Sequence, residues 1–314
     1  MRAVALDRIE RIRRNRDENA TPVSERDPKG QATTWPLVAW PDRVRAAPNS
    51  FLRSAIFGAI AKGQRQKLEN VPLATVDGIE LSFTGTRLDQ TDLEVWFGVV
   101  HAVRTQNLGA KCSLSSYSLL KTMGQTDSGK NRKALEARIV RLVGCAVTLK
   151  VGRYKYIGSL ICSAATDQVT QRWLISIDPK LGPLFEADQF TLIDWEVRRK
   201  LRGHQLAQWL HGYYSSHAKP YPVKVETLHR LCGSQARLVT DDGKKLHDFG
   251  KTLRKALDAI RQACEATEVI ELDQGVAVVY GFSWRIVGDL VHVDRTPSAA
   301  QRRHLAKAKR ATRK

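Results

Sequence analysis

The stretch SSYSLLKTMGQTDSGKNRKALEARIVRLVG, from Ser115 to Gly144, predicts two helices joined by a short polar turn. The first segment has one apolar side, formed by Leu119, Leu120 and Met123. Apolar residues recur at helical spacing in the second segment, at Leu135, Ile139, Leu142 and Val143. Gly124 stands where a left-handed residue commonly ends a helix. We therefore expect the first helix to stop at Gly124 and a second, longer helix to follow.

A hairpin is predicted directly after this helix pair. AVTLKV and YKYIGSLI alternate apolar with other residues on either side of a turn at Gly152 and Arg153. The resulting order is helix, turn, helix, hairpin, which is that of a helix-turn-helix followed by a wing.

The same order recurs in the second half of the chain. KVETLHRLCG ends at Gly233, and KKLHDFGKTLRKALDAIRQAC follows with a strongly amphipathic pattern. The apolar stripe of that helix consists of Leu246, Phe249, Leu253, Leu257, Ile260 and Cys264. VIEL and VAVVYGF flank a turn at 273–275 and predict a hairpin, with DLVHVD as a closing strand. Two matched units predict an α+β fold with two tandem winged-helix domains.

Composition predicts different properties for the two ends and the middle of the chain. Residues 1–34, which include RIERIRRNR, are predicted to be a charged, flexible N-terminal segment. Residues 35–195 are predicted to be the first winged-helix domain and residues 196–295 the second. Residues 296–314 hold no acidic residue and are predicted to be a basic, flexible tail.

The net charge indicates a polyanionic partner. The chain has 51 Lys and Arg against 32 Asp and Glu, a net charge of +19, and such a field attracts nucleic acid. An anionic membrane would also attract it, but no apolar run approaches the roughly 18 residues that a membrane crossing needs. We expect a cytoplasmic protein, and nucleic acid is the first partner to test.

Cysteine and histidine spacing predicts neither disulfides nor a metal site. The five cysteines are scattered without a C-x-x-C pair, and the eight histidines do not cluster at ligand spacing. Reduced thiols and no metal or other cofactor are expected.

The candidate DNA contacts lie on the second helix of each unit and on the first hairpin. The second helix of a helix-turn-helix enters the major groove, so its outward face needs long hydrogen-bond donors. In the second unit these are Lys244, Lys251 and Lys255, with His247 and Arg254 at the margins. In the first unit they are Lys130, Lys133, Arg138 and Arg141. Arg153 and Lys155 on the hairpin, with Arg285 near the second hairpin, are candidates for phosphate contacts.

GQTDSGKN, from Gly124 to Asn131, is similar to the phosphate-binding loop G-x-x-x-x-G-K-[ST] but ends in Asn131. That loop requires a buried strand before the glycine turn and a hydroxyl that holds magnesium. Here a helix precedes the turn, so we interpret the segment as the turn of a helix-turn-helix, which leaves Lys130 available to DNA. The capping candidates for the second helix are Thr126, Asp127 and Ser128.

A tyrosine-dependent nicking enzyme is a second alternative, because GYYSSH places Tyr213 and Tyr214 near His217. Such an enzyme also needs a metal held by paired histidines, and the sequence contains no His-x-His pair. The tyrosines are better interpreted as the end of an amphipathic helix, and no enzymatic activity is predicted.

Three segments of this chain resemble the TrfA-type plasmid replication initiators. They are WPDRVRAAPNSFLRSAIF (Trp40–Phe57), FTGTRLDQTDLEVW (Phe83–Trp96) and YYSSHAKPYPVKVETLHRLCGS (Tyr213–Ser234), and DLVHVDR near the end fits as well. The resemblance, over about residues 35–295, implies a protein that binds direct repeats called iterons at a replication origin. It also implies opening of an adjacent A·T-rich region, contact with its single strands, recruitment of the host helicase with host initiator proteins, and a monomer–dimer equilibrium.

This chain departs from the family in one feature. Members carry a Gln-Leu-Ser-Leu-Phe-like peptide, which docks on the sliding clamp, just before the Trp-Pro-Asp motif. The corresponding QATTWP keeps Gln31 but lacks the leucines and the phenylalanine, with Trp35 as the alternative aromatic anchor. This departure argues against clamp binding by the segment.

A winged-helix transcriptional repressor is the alternative from another functional class. An initiator requires tandem repeats beside an A·T-rich segment, whereas a repressor favours a palindrome over a promoter.

Overall fold

The computed structural model describes residues 34–61, 63, 65–167, 169–170, 172–236, 247–265, 270–273, 276–279 and 281–311. Residues 1–33 of the predicted N-terminal segment, with Gln31, thus lie outside the described residues, as do Lys244 and the 274–275 part of the second predicted turn.

Helices occur throughout the described chain and range in length from 4 to 19 residues. They are α1 (Asn49–Leu52), α2 (Gln90–Val103), α3 (Ser116–Thr122), α4 (Gly129–Val143), α5 (Trp195–Lys200), α6 (Gln205–Ser215), α7 (Val225–Leu231), α8 (His247–Glu265) and α9 (Ala299–Ala311). A 3-10 helix spans Pro179–Phe185.

The strands are short and mostly antiparallel. Those before α5 are β1 (Trp35–Pro36), β2 (Val44–Pro48), β3 (Phe57–Gly58), β4 (Lys67–Pro72), β5 (Ile79–Thr86), β6 (Leu88–Asp89), β7 (Asn107–Leu108), β8 (Cys112–Ser115), β9 (Ala146–Val151), β10 (Tyr154–Gly158), β11 (Ser163–Thr166), β12 (Arg172–Ser176) and β13 (Phe190–Asp194). Those after it are β14 (Val223–Lys224), β15 (Ile270–Asp273), β16 (Val276–Val279), β17 (Phe282–Val287) and β18 (Leu290–Arg295).

Side-chain caps and glycines fix the helix ends. The Ser128 hydroxyl accepts from the Asn131 amide at the start of α4, and Asp89 and Asp92 form a capping box at α2. The predicted glycine stops are confirmed, because Gly124 (φ +62°) and Gly233 (φ +61°) are left-handed immediately after α3 and α7.

One order of elements occurs twice. Apart from the two-residue β7, which follows α2 and pairs with β1, the first repeat runs α2, β8, α3, α4, the β9–β10 hairpin and the β11–β12 hairpin, and β8 pairs with β12. The second repeat runs α6, β14, α7, α8, the β15–β16 hairpin and the β17–β18 hairpin, and β14 pairs with β18. Each repeat is therefore closed by pairing its first strand with its last.

The hairpins differ from the sequence prediction in two respects. The β9–β10 hairpin is the edge of a four-stranded sheet of order β10-β9-β5-β4, and not an isolated two-stranded wing. In the second repeat, DLVHVD pairs with its own partner, Phe282–Val287, so two hairpins follow α8. Pairing with distant β5 leaves no local signal in the sequence, which explains the first difference.

Buried apolar side chains form two clusters. The first extends from Trp40 to Trp195 and the second from Val197 to Val293. We use "N-terminal part" for residues 34–195 and "C-terminal part" for residues 196–311.

A buried polar layer joins the two parts. Arg198, which is fully buried, donates from Nη2 to Gln90 Oε1 (2.8 Å) and from Nη1 to the Gln208 carbonyl (3.0 Å). Gln208 Nε2 donates to Glu94 Oε1 at 2.5 Å. Polar groups buried between packed elements need such partners, and here both parts supply them.

Part of the predicted flexible tail is helical. Ser298 caps α9 by accepting from the Gln301 amide (3.3 Å), and Gln301 Nε2 donates to the Ser215 carbonyl at the end of α6 (2.9 Å). Alanine, glutamine, lysine and arginine favour helix in this segment. Among the residues described, none of the helices has the length and apolar character that a membrane crossing requires.

Candidate nucleic-acid interface

α8 separates an apolar stripe from a basic face. Phe249, Leu253, Leu257 and Ile260 are buried, as the 3.6-residue period predicts. The exposed residues in the first half of the helix are Lys251, Thr252, Arg254 and Lys255. Arg254, predicted at the margin, therefore lies exposed beside the two lysines. Lys244 and the side chain of His247 lie outside what the structure describes.

The C-terminal half of α8 carries less uncompensated charge. Arg261 lies 3.5 Å from Asp258 and 3.2 Å from Glu265 in intrahelical ion pairs. The basic face is thus concentrated toward the helix N-terminus, which is the end that approaches bases in helix-turn-helix proteins.

The first turns of α4 form the corresponding surface in the first repeat. Lys130 and Lys133 are exposed, as predicted. Arg132, which the sequence analysis did not single out, is also exposed and donates from Nε and Nη2 to the Asp127 carboxylate at 2.6 and 2.7 Å. The Arg132 hydrogen bond holds the pKa of Asp127 below its usual range. The sequence signal for the Arg132–Asp127 pair was a basic residue five positions after an aspartate in a capping turn.

Arg138 and Arg141 have different surroundings from those lysines. Arg141 Nη2 lies 2.7 Å from Asp92 Oδ1, and the Asp92 side chain is fully buried. Arg138 is half-buried, and burial lowers its pKa. Both were predicted as outward DNA contacts, but the structure directs Arg141 to a carboxylate of α2, a partner 49 positions away along the chain.

The hairpin candidates lie at a turn and on an edge strand. Gly152 is left-handed (φ +57°) and Arg153 is exposed beside it, and Lys155 is exposed on β10 opposite Lys150. Lys150 Nζ binds Glu80 on β5 at 2.7 Å. Arg285 is exposed on β17, opposite His292.

The tyrosines of the nicking alternative lie in the core. Tyr213 stacks on Trp209 (5.0 Å between ring centroids) and is 5% exposed, while Tyr214 is 1% exposed. Burial raises the pKa of both phenols. A nucleophile needs access and a lowered pKa, so these residues are structural. In the part of the chain that is described, no group of three His, Cys, Asp or Glu side chains converges as a metal site.

In the turn that resembles a phosphate loop, side chains of neighbouring residues form hydrogen bonds with the backbone. Asn131 Nδ2 donates to the Thr126 carbonyl (2.8 Å), and Ser128 is the cap among the predicted candidates. Trp35, the alternative anchor for a clamp, pairs through β1 with β7 and packs on Gly182, where an added Cβ would overlap its ring.

Each of the two helix pairs has a left-handed glycine after its first helix and exposed lysines on its second helix. This arrangement is that of DNA-binding helix-turn-helix proteins. The TrfA protein family matches residues 26–265, and the chain belongs to this family of plasmid replication initiators.

Individual relatives agree with this assignment. The plasmid replication initiator protein TrfA of Escherichia coli is 30% identical over 217 residues, which cover 67% of this chain and 56% of that protein. Replication protein RepA of Salmonella typhi is 23% identical, covering 70% of this chain and 62% of its own length. The chain thus spans less than two thirds of the length of these relatives.

A solved structure shares the fold. Domains 2 and 3 of RctB superpose with a TM-score of 0.52 at 15% identity, covering 80% of this chain and 98% of that one.

Proposed function

We propose that this chain initiates plasmid replication by binding iteron repeats at the origin through two winged-helix domains, residues 35–195 and 196–295. The observation that carries the proposal is the basic, exposed first half of α8, set against a buried apolar stripe and preceded by a glycine-ended helix. The equivalent surface on α4 supports a second contact on the same DNA.

We assign the principal base reading to α8, in the second domain, and a second set of major-groove contacts to α4. Lys251, Arg254 and Lys255, with Lys244 and His247, are the proposed major-groove residues, because long donors on the first turns of such a helix reach base edges. Lys130 and Lys133 are the proposed equivalents on α4. Arg138, Arg141, Arg153 and Lys155 stay predictions, and the ion pair of Arg141 favours a structural role for that residue.

The later steps of initiation are proposed from family membership. They are opening of an adjacent A·T-rich segment with contact to its single strands, recruitment of the host helicase and initiator proteins, and exchange between monomer and dimer, all in the bacterial cytoplasm. The packing of Trp35 on Gly182 and its pairing in β1 support the proposal that this segment does not dock on the sliding clamp.

Binding of one repeat tests the reader assignment. Lys251→Ala is expected to weaken cognate DNA by about 1–3 kcal/mol, with less loss on unrelated DNA, because a base contact is sequence-specific. Gln262→Ala is the matched control, since Gln262 is exposed on the same side of α8 about three turns further along. Gel shifts on both DNAs measure the contrast, and circular dichroism monitors folding.

Unchanged cognate affinity in a Lys244, Lys251 and Lys255 triple alanine variant would exclude α8 as the reader.

The repressor alternative is tested by footprinting. Protection of tandem repeats beside an A·T-rich segment supports an initiator, whereas protection of a single palindrome over a promoter supports a repressor.

A further inference from the structure

The carbonyls of the two turn glycines each accept a hydrogen bond from an arginine side chain. The Gly124 carbonyl accepts from Arg202 Nη1 at 2.9 Å, and the Gly233 carbonyl accepts from Arg87 Nη2 at 2.5 Å. Arg202 belongs to the C-terminal part and Gly124 to the N-terminal part, whereas Arg87 and Gly233 have the opposite arrangement. Each helix-turn-helix is therefore bonded at its turn by an arginine from the other part of the chain.

The contact at Gly233 is enclosed. Arg87 is 9% exposed, and the Ala59 amide donates to the adjacent Cys232 carbonyl at 2.7 Å. A Cβ added to Gly233 would overlap the Arg87 guanidinium and lie 3.1 Å from Ala55 Cβ. The N-terminal part thus covers this turn closely, and only glycine fits there.

The contact at Gly124 is built from the segment around α5. Trp195 Nε1 donates to the Thr122 carbonyl at the end of α3 (3.0 Å), and an added Cβ at Gly124 would lie 3.0 Å from Arg199 Nε. Arg202 follows Leu201, which is buried in the second cluster. Glu94 Oε2, 4.0 Å from Arg202 Nε, places a carboxylate beside the guanidinium.

The two bonds restrain how one part of the chain can move against the other. A turn carbonyl lies between the two helices of its own pair, so a bond to it restrains the pair as a unit. Because the two bonds run in opposite directions, both oppose rotation of one part of the chain against the other. Arginine is suited to this role since its planar group holds a fixed donor geometry.

We propose that Arg87 and Arg202 are positioning residues that set the distance and rotation between the α4 and α8 surfaces, and that the protein thereby selects DNA by the spacing of the two segments it binds. This inference rests on the proposed DNA binding. It adds a spacing requirement that neither helix pair imposes alone.

DNA with altered spacing tests the proposal. The probes are the cognate repeat and the same repeat with one to six base pairs inserted between the segments that footprinting assigns to α4 and α8. Five inserted base pairs rotate one segment by about half a turn, and the wild-type protein is expected to lose about tenfold or more in affinity. The Arg87→Ala, Arg202→Ala double variant is expected to lose about threefold or less. An unchanged insertion penalty in the double variant overturns the proposal, because a merely stabilising role would weaken all probes equally.

Matched variants separate positioning from folding. Arg172→Ala is the control, since Arg172 donates to the Ser113 hydroxyl and carbonyl (2.9 and 3.3 Å) within the N-terminal part, and it should keep the wild-type penalty. Arg87→Lys should restore part of the penalty by donating to the same carbonyl. If Arg87→Ala does not fold, Arg202→Ala alone must still reduce the penalty, and failure to do so overturns the proposal.

A measurement without DNA distinguishes failure of this inference from failure of the proposed function. Spin labels at Lys133→Cys and Lys255→Cys, in a background with the exposed Cys162 and half-buried Cys264 replaced by serine, report the separation of α4 and α8. The double alanine variant is expected to broaden the distance distribution, and an unchanged distribution overturns the positioning role. Absence of repeat binding by the wild-type protein overturns the proposed function instead.

Discussion

At the scale of single residues, Asp92 joins three segments of the chain. Its fully buried carboxylate lies 2.6 Å from Arg65 Nη1 and 2.7 Å from Arg141 Nη2, and it accepts from the Asp89 amide at the start of α2. One acidic side chain thus ties α2 to α4 and to the segment before β4. The orientation of α4 depends on it, so a residue remote from DNA supports the proposed first contact surface.

We expect Asp92→Asn to lower the free energy of unfolding by about 3 kcal/mol, because removing one partner leaves two arginines poorly compensated in a mostly buried site. Glu80→Gln is the control. Glu80 pairs with Lys150 at 2.7 Å but its side chain is 74% exposed, and such pairs contribute about 1 kcal/mol or less. Urea titration measures both, and equal effects of the two substitutions would contradict the role of Asp92.

Sequence alone predicted some of these side chains and not others, for a physical reason. Lys251 and Lys255 are exposed because the apolar stripe of α8 fixes the opposite face, and that stripe is visible in the sequence. Arg141 sits on a helix with a similar stripe, but its position near the edge of the apolar side lets it reach Asp92. A partner from another element carries no local signal.

Two buried histidines, His101 and His211, and the half-buried His217 predict acid sensitivity. Burial, with neighbouring arginines, lowers the pKa of His101 to about 4, of His211 to about 3 and of His217 to about 4. The Trp40 indole donates to His101 Nδ1 (3.1 Å), which favours the neutral ring. The unfolded chain protonates these groups near pH 6.5 while the folded chain does not, so the unfolded state binds more protons and stability falls as pH drops from 6.5 toward 4.

The expected slope is up to about 1.4 kcal/mol per pH unit for each histidine. Urea midpoints between pH 7.5 and 5 measure it, and His101→Gln should make the slope shallower by about that amount. Gln262→Ala, at an exposed position of α8 without a titratable side chain, should keep the wild-type slope. A slope that His101→Gln does not change would contradict the prediction.

At the scale of secondary-structure elements, the glycine turns decide where the paired helices end. After α3 the Gln125 amide bonds to the Leu120 carbonyl (2.8 Å), and after α7 the Ser234 amide bonds to the His229 carbonyl (3.3 Å). Both bonds require the intervening glycine to be left-handed, which other residues adopt only at a cost.

We therefore expect Gly124→Ala to destabilise the protein by about 1–2 kcal/mol, and Gly233→Ala by more, since its Cβ also displaces Arg87. Gly129→Ala provides the comparison within the same helix pair. Gly129 begins α4 with no atom within 4 Å of an added Cβ, so the substitution should stabilise by about 0.4–1 kcal/mol. Thermal unfolding ranks the three variants, and loss of stability in Gly129→Ala comparable to the others would contradict this account.

At this scale, how well an element can be predicted depends on how far apart its paired segments lie along the chain. α3, α4, α7 and the β9–β10 hairpin are specified by local periodicity and turn residues, and they occur where predicted. β4 and β5 are not, because β5 pairs with β9 across more than sixty intervening positions. The strand at Phe282–Val287 was joined to its predecessor because VAVVYGF is continuously apolar.

At the scale of the whole molecule, the net charge of +19 does not identify the cations that DNA would meet. Several arginines are buried or paired inside the fold. They are Arg45, Arg65, Arg87, Arg141 and Arg198. The exposed cations on the proposed reading surfaces are Lys130, Lys133, Lys251, Arg254 and Lys255. Charge counted from the sequence thus predicts the class of partner, whereas the structure identifies which side chains are accessible to it.

Salt dependence tests this distribution. Each neutralised phosphate contributes about 0.9 to the slope of log affinity against log salt, so five contacts give a slope of about −4.5, and further contacts make it steeper. Fluorescence anisotropy between 50 and 300 mM salt, on a labelled repeat, measures the slope. A nearly flat dependence would remove DNA as the main partner.

The closing of each repeat by its first and last strands bears on how the protein is made. β2 finds its partner in β13 and β8 in β12, so every strand of the N-terminal part has its pairing partner within residues 34–195. A ribosome that has released residue 195 has therefore delivered all of that sheet structure, and domains commonly fold in this vectorial order. The C-terminal part must wait for β18, the partner of β14. During translation the nascent N-terminal part can therefore fold before Gly233 is available to accept a hydrogen bond from Arg87.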